Sequence, residues 1–359
     1  IMDADWLKNY LAEPVVAEPG TEFLYNSSGS CLLGAIVKKK TGKGMREFLK
    51  EFLFDKIGID GERFQIFRFP DGYDAEPGTA SVTEDNLRLA ILFMNYGNWN
   101  GEQIIAEDWM HMAMSCQIST EPNGGTEDYR HGYGFQLWNS AIPGVYRFDG
   151  GQGQYGLIWP ERKIAVAIHE GAVMPEGPQI TLDVLYEYLL NEMRNEPLPE
   201  NPQADAALLE FERNLKVPEQ EANTLYVPTE CFSGSYAVVS GDGDPWISVA
   251  PGGYNFFTCF YHDDKKQAFT DFTLKTDEQK CVFTVDGYAV FEAYFDGKHH
   301  PVYTDNVLPE IGWNCSYARY LDEDTLQITT KWLNGWFDDR IVMKKKGDIL
   351  EMTFYKDRL

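Results

Sequence analysis

Two kinds of apolar spacing divide the chain. Up to about residue 195, apolar positions recur at helical intervals between short β-like runs, and beyond about residue 225 they alternate with polar ones. In the first part, residues 3–11 form a short helical segment. Residues 28–41 put Leu32, Leu33, Ile36 and Val37 on one face and stop at Gly42. Residues 45–57 form a second amphipathic helix, closed by Gly58. Ser81-Val82-Thr83-Glu84 reads as a capping box that opens a third helix running to Asn95. Residues 106–114 make a fourth. Residues 178–195 make a fifth, with Leu182, Leu185, Leu189 and Met193 spaced for a buried stripe. Between the fourth and fifth lie aromatic, β-branched runs at 135–138, 145–148, 154–159 and 163–169. Glu161-Arg162 after Pro160 is a tight connection, so the last two runs form an antiparallel hairpin that the fifth helix covers.

The pattern then changes. Residues 196–228 hold Pro197, Pro199, Pro202, Pro218 and Pro228 with one short helix at 204–215, and read as a linker. From about residue 225 the runs at 231–239, 254–261, 281–285, 289–295, 325–332, 336–344 and 349–355 alternate apolar with polar. They are separated by Asp286-Gly287, Asp296-Gly297, Asn334-Gly335 and Gly347-Asp348. Such punctuation predicts a barrel or sandwich. The expected organisation is an α+β domain over 1–196, a Pro-rich linker over 197–224, and an all-β domain over 225–359. No internal repeat of fixed period is present.

Composition narrows the function classes. Across 359 residues, 56 acidic against 31 basic side chains give a net charge of −25. Nucleic-acid affinity rests on Lys and Arg neutralising phosphate, so a nucleic-acid partner is not expected, nor is an anionic membrane surface. No apolar run approaches the roughly 20 residues of a transmembrane helix. Cys31, Cys116, Cys231, Cys259, Cys281 and Cys315 show no metal-ligand spacing and read as free, largely buried thiols, which favours the reducing cytoplasm. No cofactor or metal is expected. His169 ends an apolar strand and reads as packed, and His299-His300 sit in a turn with too few nearby ligands for a metal.

The stretch that carries candidate chemistry runs from Glu18 through Pro19-Gly20-Thr21, Phe23 and Tyr25-Asn26-Ser27 to Gly34. A turn leads to Tyr25 at the mouth of a helix. Free N–H groups and a partial positive charge gather there, so a phenol in that place is a candidate proton carrier beside a developing anion. The alternative is a half-buried aromatic next to an Asn26 or Ser27 cap.

PGTxFxY followed by a small polar pair and an LLGxI helix ending in Thr41-Gly42 resembles the penicillin-recognising serine hydrolases: class C β-lactamases, DD-peptidases and related esterases. The resemblance continues in order through residues 48–59, 81–110, the Tyr133-Gly134-Phe135-Gln136-Leu137-Trp138 segment, and Asp149-Gly150-Gly151-Gln152-Gly153-Gln154 followed by Pro160. It covers about residues 1–195 and implies a β-lactamase/transpeptidase-like antiparallel sheet with packed helices. Trp313 and residues 322–326 are similar to a strand of the β-barrel that some members carry at the C-terminus. Trp246, Trp313, Trp332 and Trp336 are expected to be core and hairpin aromatics, with a ligand pocket as the alternative.

Three elements make up such a site in this family: an SxxK helix bearing the nucleophile, a Tyr-x-Asn motif whose tyrosine moves the proton, and a Lys-Thr-Gly or His-x-Gly strand. The resemblance maps Tyr25 onto the motif tyrosine. Asn26 fills the variable position, and Ser27 stands where asparagine is usual, a variant associated with a subgroup of bacterial members. The third element maps near Phe148-Asp149-Gly150, with Gly151, Gly153 and Gln154 following on the same hairpin. Its usual cation is missing, and Asp149 would repel a substrate carboxylate if it faced the site. No serine of these 359 residues has a lysine three positions on. The expectation is therefore the second part of the fold, incomplete at its N-terminus, without nucleophile, with Tyr25 neutral at pH 7. Its substrate would be a small neutral ester or amide, or a peptide. The opposing expectation is a non-catalytic, ligand-binding relative. An unpaired sheet edge predicts self-association.

Overall fold

The computed structural model describes residues 6–68, 73–121, 125–172, 176–194, 196–239, 271–285, 288–303, 313–333 and 337–358. The expected strand at 254–261, Trp246, Trp336, Cys259 and the turns at 286–287 and 334–335 lie outside them.

Helix α1 (Trp6–Ala12) buries Trp6. Helix α2 (Ser27–Thr41) begins at an Asn26 cap and ends at Gly42, whose φ of 75° is the left-handed conformation glycine adopts without strain. Its buried face is Cys31, Gly34 and Ala35, whereas Leu33 and Ile36 are exposed. Small side chains at i, i+3 and i+4 allow a close approach, so the leucine-rich face predicted from periodicity is not the one that packs. Helix α3 (Met45–Leu49), a π-helical turn (Lys50–Phe54) and helix α4 (Asp55–Ile57) form one run closed by Gly58. Strands β1 (Gln65–Arg68) and β2 (Asp74–Ala80) pair antiparallel.

Helix α5 (Thr83–Met94) begins at Val82 with no side-chain cap. The predicted capping box does not form, because the Ser81 hydroxyl donates to Asn86 and Glu84 pairs with Arg88. Strands β3 (Asn98–Trp99) and β4 (Glu102–Gln103) make a small hairpin before helix α6 (Glu107–Met114).

The central sheet has the order β5 (Trp138–Asn139), β6 (Tyr146–Gly150), β7 (Gln154–Trp159), β8 (Ile164–His169), all antiparallel. Only the end of the predicted 135–138 strand is strand; residues 134–137 form a tight turn. One sheet face, with Phe148, Ile158 and Ala165, packs on α5 and α6 through Ala90, Met110, Ala113 and Met114. The other, with Val145, Tyr155 and Leu157, packs on helix α7 (Glu176–Leu185). A π-helical turn (Tyr186–Leu190) follows α7. Its extra residue per turn shifts the buried stripe: Leu182, Leu185, Tyr186 and Leu190 are buried, whereas Leu189 and Met193 are exposed. The Phe148 ring crosses Gly156, where a Cβ would lie 1.8 Å from it.

Helix α8 (Pro202–Asn214) lies in the Pro-rich stretch, with no buried residue. Beyond it are β9 (Gly234–Ala237), β10 (Asp271–Thr276), β11 (Lys280–Val285), β12 (Tyr288–Tyr294), β13 (Pro301–Tyr303), β14 (Trp313–Asp322), β15 (Thr325–Trp332), β16 (Phe337–Lys346) and β17 (Ile349–Arg358). They form one sheet, antiparallel except where β12 meets β14. Tyr236 of β9 and Met352 of β17, at opposite ends of the sheet, pack on the same apolar cluster around Phe283, Leu326 and Ile341. The sheet is therefore curled around its core. Trp332 is buried in that core, whereas Trp313 is half exposed against Tyr303. Among the described residues no helix is long and apolar enough to cross a membrane.

Candidate active site

Asn26 sets the geometry around Tyr25. Its Oδ1 accepts from Gly29 N at 2.9 Å, capping α2, and its Nδ2 donates to the Tyr10 hydroxyl at 2.9 Å. The cap therefore joins α1 to α2 and holds Tyr25 immediately ahead of the helix N-terminus. Ser27 is the first residue of α2 and half-buried.

The Tyr25 side chain is 54% exposed. Its ring lies parallel to Trp138, centroids 6.1 Å apart, and edge-on to Tyr133 at 6.4 Å. Phe23 packs on the same two rings at 5.1 and 5.5 Å. Tyr129 meets Trp138 edge-on at 4.8 Å. Tyr25 thus stands on an aromatic wall supplied by the 129–138 segment. Burial pushes the Tyr129 and Tyr133 hydroxyls well above the ordinary phenol range, so both are neutral hydrogen-bonding groups.

Strand β6 supplies the layer behind that wall. Arg147 and Asp149 alternate with Phe148 and share the face opposite to it, as strand geometry requires. Arg147 is completely buried. Its Nε donates to Asp149 Oδ2 at 2.9 Å, one Nη to the Asp128 carbonyl at 3.0 Å, and the other to Ser140 at 3.1 Å and Asp128 Oδ1 at 3.4 Å. Its guanidinium lies 4.9 Å from the Tyr129 ring centre. Asp128, also fully buried, accepts from Tyr186 at 2.7 Å, Ala141 N at 2.9 Å and Gln179 at 2.8 Å. Asp149 accepts from the Tyr129 hydroxyl at 3.0 Å. One cation thus serves two carboxylates, and burial raises the Asp149 carboxyl above its ordinary range. The Asp149 side chain, only 4% exposed, is turned inward to Arg147 and Tyr129.

The hairpin after Asp149 is tight. Gly153 N donates to Gly150 O, and a Cβ on Gly153 would lie 2.1 Å from Glu170 Oε1. Gly151 is open to space on the exposed side. Gln154 turns to the Glu170 carbonyl at 2.6 Å. His169 Nε2 accepts from Asn86 at 2.6 Å and burial lowers its pKa, so it is a neutral, packed imidazole. His299 contacts the Tyr317 hydroxyl and the Val217 carbonyl.

Tyr25 and its cap therefore meet β5 and the 129–138 segment, while the Asp149 carboxylate is held beneath the wall. Sequence reasoning did not assign roles to Tyr129, Tyr133, Trp138 or Asp128. The 133–138 motif was visible, but nothing in its spacing placed it under Tyr25. The alternation of Arg147 with Asp149 was the available sign of their pairing.

Residues 2–170 match the family model described as "Beta-lactamase". No curated protein matches the chain. Among solved structures it is similar to a "putative beta-lactamase from Bacteroides dorei DSM 17855", with 15% identity, TM-score 0.42, 51% of this chain and 63% of that one. Another is a "putative 6-aminohexanoate-dimer hydrolase from Bacillus anthracis", with 23% identity, TM-score 0.34, 42% of this chain and 39% of that one. A third is the "octameric penicillin-binding protein homologue from Pyrococcus abyssi", with 17% identity, TM-score 0.40, 95% of this chain and 65% of that one. In each case the chain spans less than two thirds of the other protein. The family match over residues 2–170, just under half of the chain, makes the α/β part similar to the β-lactamase family.

Proposed function

We propose that residues 1–196 supply the tyrosine-bearing side of an acyl-transfer site that hydrolyses a neutral ester or amide. The observation that carries this reading is Tyr25 itself: an exposed phenol ahead of the capped N-terminus of α2, inside the family-matched segment and stacked on Trp138. In that role Tyr25 would carry the proton from the nucleophile to the leaving group, with the helix N-terminus favouring the developing anion. Asn26 fixes the tyrosine's place, Ser27 is the hydroxyl beside it, and Gly150, Gly151, Gly153 and Gln154 are the hairpin residues assigned to the substrate-binding side. The cation of β6, Arg147, is buried between two carboxylates and is not offered to a substrate carboxylate, which favours a neutral substrate. The edge of β8 is the surface for self-association.

No serine of these residues carries an SxxK lysine, so this chain alone should not turn over p-nitrophenyl acetate. A protein read in frame upstream of Ile1 that includes an SxxK helix should do so, and Tyr25→Phe should slow it about 100-fold. Turnover by the 359-residue chain that is lost in Tyr25→Phe would contradict the assignment of the nucleophile. A reading frame without SxxK would favour the ligand-binding alternative.

A further inference from the structure

We propose that Gln136 is a substrate-positioning residue of the Tyr25 site, its amide hydrogen-bonding a neutral carbonyl or hydroxyl of a ligand lying against Tyr25 and Tyr133. The proposal rests on the reading of the site given above and names the contact that would orient the ligand there.

Gln136 sits in the tight turn between Tyr133 and Trp138, where Gly134 N donates to Leu137 O at 2.7 Å. Its φ is 63°, in the left-handed region. Glycine fills such a turn position without strain, and asparagine or aspartate next best, because a short side chain can bond its own backbone. Glutamine has neither advantage. Nor is it retained for packing, since the residue is exposed.

Its hydrogen bonds do not explain it either. Oε1 receives long contacts from Ser30 Oγ at 3.4 Å and the Tyr133 hydroxyl at 3.5 Å, both at the weak end of the range. Their sources are informative. Ser30 lies in the first turn of α2, directly after the Tyr25 motif, and the Tyr133 ring is the one edge-on to Tyr25. The two contacts hold one end of the amide at the aromatic wall. The other end has no partner among the described residues. Serine and tyrosine hydroxyls both donate and accept, so either orientation of the amide leaves one polar end outward.

A strained, exposed side chain aimed into a candidate site is the usual mark of a residue kept for what it binds. The ligand class follows from the surroundings. Aromatic faces line the wall, and Arg147 is held between Asp128 and Asp149 beneath it. A flat, neutral group with one hydrogen-bonding substituent fits both.

The test uses the 359-residue chain and 4-nitroacetanilide, a neutral aromatic amide, followed by quenching of tryptophan emission. Wild type should quench saturably, and Tyr25→Ala should weaken binding. Gln136→Gly should raise Kd about 5-fold, the worth of one ordinary hydrogen bond, while its melting temperature stays level or rises by about 2 °C as the backbone strain is relieved. A wild-type Kd in Gln136→Gly, with binding still dependent on Tyr25, overturns the proposal alone. A lowered melting temperature in Gln136→Gly overturns it too, because the side chain is then a structural brace. No saturable quenching in wild type, or quenching indifferent to Tyr25→Ala, overturns the reading of the site and the proposal with it.

Discussion

Replacing Arg147 with methionine isolates the buried charge cluster behind the candidate site. The guanidinium is fully buried and makes charge-assisted bonds to Asp149 and Asp128, with two further bonds to the Asp128 carbonyl and Ser140. Methionine fills much of the volume but leaves two buried carboxylates without a cation. Breaking a buried pair in this way costs about 3–5 kcal/mol. The loss falls unevenly. Asp128 keeps Tyr186, Ala141 N and Gln179, whereas Asp149 keeps only Tyr129 among the described residues. Adding Asp149→Asn to Arg147→Met should therefore recover more than half of the loss, an interaction that a double-mutant cycle reads directly. Urea denaturation of the four proteins, followed by tryptophan emission from this part of the chain, is the assay. Arg147→Met should also approach wild type on acidification, because protonating Asp149 removes the orphaned charge. A loss under about 1 kcal/mol near pH 7, or no recovery on adding Asp149→Asn, would refute the cluster as described.

Three further outcomes follow from the same geometry. The Asp149 carboxyl is raised by burial, so its contribution to stability is present below the ordinary carboxylate range and is lost as pH rises through its folded pKa. Asp149→Asn should therefore gain on wild type as pH rises above the ordinary carboxylate range in a series of thermal melts, and a constant difference would count against the shift. Gly156→Ala drives a methyl group into the Phe148 ring and should cost about 1–3 kcal/mol by thermal melting, part of it recovered by Phe148→Leu. Sedimentation of the chain should show a dimer that a lysine on the β8 edge dissociates, and a monomer at all concentrations would remove the self-association reading.

Much of the fold was legible because local signals agreed with it. Gly42 and Gly58 stop their helices where predicted, and the hairpin through Pro160 closes with β7 as drawn. The failures have physical causes. Periodicity assumes 3.6 residues per turn, so the π-helical turn at Tyr186–Leu190 moved Leu189 off the buried stripe and put Leu190 on it. Apolar weight favoured Leu33 and Ile36, but α2 packs through its small residues. The Asn26 cap was readable from the small polar residues ahead of the helix. The buried Asp128 was not, because a carboxylate in a Gly-rich, charged stretch reads as surface until Arg147, some twenty residues on, is brought against it. Gln136 was hidden for a similar reason: only backbone geometry distinguishes it from any exposed glutamine.

The central claim is that Tyr25 moves the proton in acyl transfer. Should the reading frame carry an SxxK helix ahead of these residues, mass spectrometry of that longer protein, mixed with p-nitrophenyl acetate and quenched early, tests it most directly. The account predicts an acetyl group on an SxxK serine that accumulates about 100-fold more slowly in Tyr25→Phe. Acetylation at the wild-type rate in Tyr25→Phe would contradict it.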